Sequence, residues 1–129
     1  MAKSLKDFVM AARAQITEIN TSEFSAERAA GSDVLLVDVR EPAEFDAGHI
    51  DGATSIPRGI IEPAADLEFP NRHAGLSAAR ARRVVVYCAT GGRSAMAVVA
   101  LQEIGFENVA NLAGGISAWK EAGLAIKSK

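Results

Sequence analysis

Val84-Val85-Val86-Tyr87-Cys88-Ala89-Thr90-Gly91-Gly92-Arg93-Ser94 joins a β-prone apolar run to the chain's only cysteine, a glycine pair and the start of a helical pattern reaching Ile104. Four consecutive apolar residues are expected of a strand covered on both faces, as in a parallel sheet. A strand ending at Cys88 and a helix beginning near Ser94 aim unpaired first-turn amides, and the positive end of the helix dipole, at the sulfur. Gly91 and Gly92 suit such a turn, because a ring of inward-pointing amides needs backbone angles that a Cβ tolerates poorly. The loop is a candidate nest for a thiolate, whose chemistry needs an electropositive, partly exposed setting. The competing reading is a small buried hydrophobe in a connecting turn, and the rest of the chain decides between the two.

Working outward, Ala95, Val98, Val99 and Leu101 form the inner face of the helix after the loop, which stops at Gly105. Val34-Leu35-Leu36-Val37 is a second apolar run, ending in the polar Asp38-Val39-Arg40. Glu41 to Phe45 starts a short helix with Pro42 in its first turn, closed by Gly48, and Ala53 to Ile56 is a brief strand ended by Pro57. Ile16 to Ile19 reads as a strand, and Asn20-Thr21-Ser22 supplies cap residues for a helix that stops at Gly31. Asn108 to Leu112 is a last strand, and Gly114-Gly115 opens a final helix through Trp119, ending at Gly123. Between these, residues 58–80 predict a helical turn or two over Ile60, Ile61, Ala64, Ala65 and Leu67, then a long loop.

This alternation predicts an α/β domain with a central, mostly parallel five-stranded sheet, helices on both faces and right-handed crossovers. Sites in such sheets lie off the carboxyl ends of the strands, and Asp38, Arg40, Pro57, Arg58 and Cys88 all follow strand ends. Residues 1–15 form an N-terminal helical extension and residues 16–127 the domain. The extension carries Leu5, Phe8, Val9 and Ala12 as one apolar stripe, which packs on its own domain or on a second subunit as a homodimer contact.

Composition narrows the classes. At 129 residues, 49% apolar and 23% charged, the chain has an ordinary globular make-up and no apolar run long enough for a membrane span. The first fifteen residues lack the apolar core of a signal peptide, so the expected compartment is cytoplasmic. A net charge of −2 carries no polyanion-binding signature, so neither nucleic acid nor membrane is an expected partner. One cysteine and two distant histidines, His49 and His73, form no local metal-ligand pattern, so no metal or other cofactor is expected.

Three stretches together resemble the rhodanese-like sulfurtransferase family. They are Asp38 to Ala53 (DVREPAEFDAGHIDGA), the Cys88 to Arg93 loop, and Leu112 to Trp119 (LAGGISAW). The resemblance implies a rhodanese-like domain over 16–127 in which Cys88 carries a sulfane sulfur as a persulfide between an anionic donor such as thiosulfate and an external thiol, protein or cyanide acceptor. Related phosphatases place five residues between cysteine and arginine, whereas Ala89, Thr90, Gly91 and Gly92 are four here. The shorter ring favours a terminal sulfur over a tetrahedral oxyanion. The alternatives are a binding or regulatory module of the same fold with incidental turnover, and a relative of the cysteine phosphatases.

Within this reading Cys88 is the catalytic residue, and Ala89, Thr90, Gly91, Gly92, Arg93 and Ser94 bind the substrate sulfur through the loop. Arg93 is expected both to meet an anionic donor and to hold the loop through backbone carbonyls. Arg58 either steers the donor or is solvated. Asp38 and Arg40 are expected to brace the loops by hydrogen bonds and an ion pair with Glu44, and His49 is structural, because an ionised thiolate needs no base. The Gly114-Gly115 pair and Trp119 pack the last helix against the sheet.

Overall fold

In the computed structural model, which describes residues 1–128, the strands are β1 (Thr17–Ile19), β2 (Val34–Asp38), β3 (His49–Ile50), β4 (Thr54–Ser55), β5 (Arg83–Tyr87), β6 (Val109–Leu112) and β7 (Ile126–Lys127). Five of them form one parallel sheet in the order β1-β6-β5-β2-β4, as the sequence predicts. β5 is central, and Val84 to Tyr87 are fully buried because both faces of the sheet are covered. Successive residues point to opposite faces, so Val84 and Val86 join one core while Val85 and Tyr87 join the other. Each such side chain contributes about 1.5–3 kcal/mol relative to exposure.

The helices are α1 (Leu5–Arg13), α2 (Thr21–Ala29), α3 (Pro42–Ala47), α4 (Ile61–Ala65), α5 (Ala74–Ser77), α6 (Gly92–Ile104) and α7 (Gly115–Glu121). α6 lays Ala97, Val98 and Leu101 on the Val84/Val86 face, together with Ile61 and Ala65 of α4 and Leu76 of α5. The opposite face is closed by Phe24 of α2 and by Ile116 and Trp119 of α7. The Phe24 and Trp119 rings pack with centroids 5.7 Å apart. No helix among the described residues is long and apolar enough to cross a membrane.

The N-terminal helix α1 packs on α6 of its own domain, starting from a capping box in which Ser4 and Asp7 satisfy each other's amides. Only part of its apolar stripe is used there. Ala12 is buried, whereas Leu5 and Phe8 remain 70% and 52% exposed.

Three local features depart from the sequence expectation. α6 starts at Gly92 rather than near Ser94, because Gly91 takes φ +106° and caps the helix itself. Residues 58–80 hold a 3-10 turn (Arg58–Ile60), α4 and the short α5, whose cap is His73: Leu76 N–H donates to its Nδ1 at 3.0 Å. β3 and β7, which the sequence reading lacks, pair as an antiparallel ribbon beside the main sheet.

Candidate active site

β5 delivers Cys88 to the carboxyl edge of the sheet, and the chain turns through Ala89 to Gly91 into α6. Cys88 is 2% exposed. Its Sγ accepts from Gly91 N–H at 3.1 Å, from Ser94 Oγ–H at 3.3 Å and from Ser94 N–H at 3.5 Å. Burial pushes the Cys88 thiol up, but the Ser94 hydroxyl and the Ser94, Gly91 and Thr90 amides outweigh it, so the thiol lies below its ordinary value. The hydroxyl is a contribution that a backbone-amide reading of this loop lacks.

A second helix fixes the other side of the loop. Ile116 N–H donates to Cys88 O and Ser117 N–H to Ala89 O, both at 3.0 Å. These first-turn amides of α7 have no partners within their own helix, and the loop carbonyls satisfy them. Gly115 permits the approach: a Cβ there would lie 2.4 Å from Cys88 O and 2.6 Å from Ala89 O, and its φ is +56°. Gly115 therefore seats α7 on the loop after β5 rather than simply on the sheet.

Arg93 does not hold the loop carbonyls. Its fork pairs with Glu44 of α3, Nη1 to Oε1 at 2.8 Å and Nη2 to Oε2 at 3.1 Å. Those bonds, against the opposing effect of burial, hold the Glu44 carboxyl at about 2. The expected ion pair of Arg40 with Glu44 is replaced by another. Arg40 pairs with Asp38, Nη2 to Oδ2 at 2.8 Å, and donates from the same nitrogen to Gly48 O at 2.7 Å. Both partners are buried, so the pair braces the loops after β2 from inside. His49 stacks on Phe45 with centroids 3.8 Å apart, and its Nδ1 meets Phe45 O at 2.9 Å, an arrangement that belongs to the frame.

Arg58 donates its backbone N–H to Val39 O at 2.9 Å, which ties the loops after β2 and β4 together. Its guanidinium pairs with Glu62 at 3.1 Å and lines a groove with Phe8, Ala12, Met96 and Val99 between α1 and α6. Asn111 reaches the loop without any sequence reading pointing to it, donating to Gly91 O at 3.2 Å, and Glu18 and Arg13 stand behind it in turn. The available signal was a polar residue inside the short apolar strand β6.

Known proteins resemble this chain in sequence and in fold. The sequence profile of the rhodanese-like domain matches residues 20–122. A sulfurtransferase from Allochromatium vinosum is 40% identical over 111 residues, covering 86% of this chain and 94% of that protein. A probable adenylyltransferase/sulfurtransferase from Mycobacterium tuberculosis is 42% identical over 90 residues, which are 69% of this chain but only 21% of that protein. Among solved structures, a protein of unknown function from Rhodopseudomonas palustris, described as a possible tyrosine phosphatase, superposes with a TM-score of 0.90 at 33% identity. That match covers 98% of this chain and 96% of the other.

Proposed function

Because this chain belongs to the rhodanese-like domain family, we propose that it is a sulfurtransferase in which Cys88 takes a sulfane sulfur from an anionic donor such as thiosulfate. The observation that carries the reading is the set of hydroxyl and amide donors on Cys88 Sγ, which favours the charged sulfur and needs no external base. The thiolate attacks the outer sulfur of thiosulfate. The S–S bond breaks, and sulfite leaves with the electron pair. The persulfide left on Cys88 ends in a sulfur that the loop amides of residues 89–94 stabilise. An acceptor thiolate or cyanide then attacks that terminal sulfur, and Cys88 departs as thiolate. No oxidant enters, and with no second cysteine in the chain the acceptor comes from outside. Arg93 and Arg58, the arginines expected at the donor, are engaged by Glu44 and Glu62, so the donor is held chiefly by the amides of the loop.

The similarity to the Rhodopseudomonas protein, a possible tyrosine phosphatase, raises phosphatase chemistry as a second reading, and three observations weigh against it here. The ring between Cys88 and Arg93 holds four residues, and the arginine that would clamp an oxyanion is paired with Glu44. Phosphate transfer also needs a general acid, and Asp38 is fully buried against Arg40. A purely regulatory module has no use for a sulfur held under three hydrogen-bond donors. Turnover tests the proposal. Thiosulfate and cyanide should yield sulfite and thiocyanate with the wild type and neither product with folded Cys88→Ser, whereas turnover by that variant would remove the mechanism.

A further inference from the structure

Gly91 joins two supports of the loop. Its N–H donates to Cys88 Sγ at 3.1 Å, while its carbonyl accepts from Asn111 Nδ2 at 3.2 Å and from Ala95 N–H at 3.1 Å. Asn111 is fully buried in β6, opposite Val86 of β5 and Glu18 of β1. Its Nδ2 also donates to Glu18 Oε2 at 2.7 Å, and the same oxygen lies 3.7 Å from Arg13 Nε at the end of α1. A chain Arg13–Glu18–Asn111–Gly91 thus runs from the N-terminal helix through the edge strand to the loop. Arg13 and Glu18 precede residues 20–122, the part matched to the family.

Glu18 decides which end of the Asn111 amide faces Gly91. A carboxylate only accepts, so it draws the NH2 end toward itself and the Gly91 carbonyl, by a short charge-assisted bond. The reversed amide would set its oxygen against two acceptors. Asn111 Oδ1 has no hydrogen-bond partner among the described residues, so the side chain is held entirely through its NH2 end. Gly91 has φ +106°, and a Cβ there would lie 3.1 Å from Arg13 Nη2 and 3.7 Å from Asn111 Nδ2, so the same residues close around it. With its carbonyl fixed, Gly91 keeps its N–H on the sulfur.

We propose that Asn111, oriented by Glu18, is a positioning residue that holds the Gly91 N–H on Cys88 Sγ, which makes residues from outside the family match part of the catalytic loop's support. The inference rests on Cys88 being the nucleophile of the sulfurtransferase reading. The charged groups on the elements about the loop are Arg93 of α6 with Glu44 of α3, Asp38 at the end of β2 with Arg40 just after it, and Arg13 and Glu18 themselves.

The test is the pH midpoint of Cys88 alkylation by iodoacetamide, a small uncharged reagent that reports the chain's only thiol and requires no sulfur donor. In Glu18→Gln the fixed polarity of the amide pair is lost, and the midpoint should rise by about half a pH unit; in Asn111→Leu it should rise by about one. Removing the Glu18 charge acts in the opposite direction through space, since a lost negative charge lowers a thiol's pKa. The half-unit rise is the net left after that opposing effect, so an unchanged or lowered midpoint in folded Glu18→Gln overturns the proposal, as does an unchanged midpoint in folded Asn111→Leu. If Asn111→Leu fails to fold, Glu18→Gln, altered at a partly exposed side chain, decides alone. Absence of thiosulfate turnover in the wild type would remove the functional reading and leave this measurement intact.

Discussion

Ser94 does more for the Cys88 sulfur than any other single residue of the loop, because it gives it both a hydroxyl and an amide. A hydrogen bond to a charged group is worth about 1.5–3 kcal/mol, or one to two pH units of preference for the ionised form. Ser94→Ala keeps the amide and loses the hydroxyl, so the midpoint of alkylation should rise by about one unit and transfer near neutral pH should slow. A profile identical to that of the wild type would show that the hydroxyl does not act on the sulfur. Much of the candidate site is legible from residues because Cys88, the glycines, Arg93 and Ser94 are neighbours in the chain, where local geometry alone brings them together. The partner of Arg93 is not legible in this way. Glu44 lies 49 residues earlier, and Arg40 stands closer to it in sequence, yet Asp38 has already engaged Arg40 from two residues away. Asn111 is hidden for the same reason, since only the register of three strands sets it beside Glu18 and Gly91.

At the scale of elements, two helix N-termini grip one loop: α6 turns its donors on the sulfur, and α7 turns its own on the carbonyls of Cys88 and Ala89. Gly115→Ala should break the second grip. The new Cβ would fall 2.4 Å from a backbone oxygen at a positive φ, a steric cost of about 1–3 kcal/mol. The melting temperature should fall, and transfer should fall in the molecules that remain folded, because the loop itself must move. Gly123→Ala is the control. It also has a positive φ, +77°, but nothing within 4 Å of its Cβ, so it should cost stability and leave the transfer rate unchanged. Equal losses of rate in both variants would contradict the docking argument. The long elements are readable in advance because Val34 to Val37 and Val84 to Tyr87 are continuous apolar runs, which only a doubly covered strand explains. β3 and β7 are two residues each, too short for any period, and α4 carries Pro63 in a helix of five residues.

For the whole molecule, the sheet places all these contacts at one edge, and the Arg93–Glu44 pair joins α6 to α3 across that edge. The Glu44 carboxyl, with an ordinary value of 4.5, lies at about 2 in the folded protein, chiefly through Arg93's hydrogen bonds. A depressed folded value means the pair's stabilisation is present above about 4.5 and is lost as pH falls toward 2. Both side chains are more than a third exposed, 37% and 38%, so the contribution is under about 1 kcal/mol. Glu44→Gln should therefore melt about 4 °C lower at most near pH 7, and the gap should close as thermal melts are taken from pH 4.5 toward pH 2. A gap of the same size at both extremes would show that the ion pair is not its source.

If the sheet and the two helices hold Cys88 to carry one sulfur atom, intact mass spectrometry reads that atom directly. After incubation with thiosulfate and removal of the donor, the wild type should be heavier by one sulfur, and cyanide should return it to its original mass. Folded Cys88→Ser should gain nothing. A wild type that gains no sulfur, or a Cys88→Ser protein that gains one, would contradict sulfur transfer through Cys88.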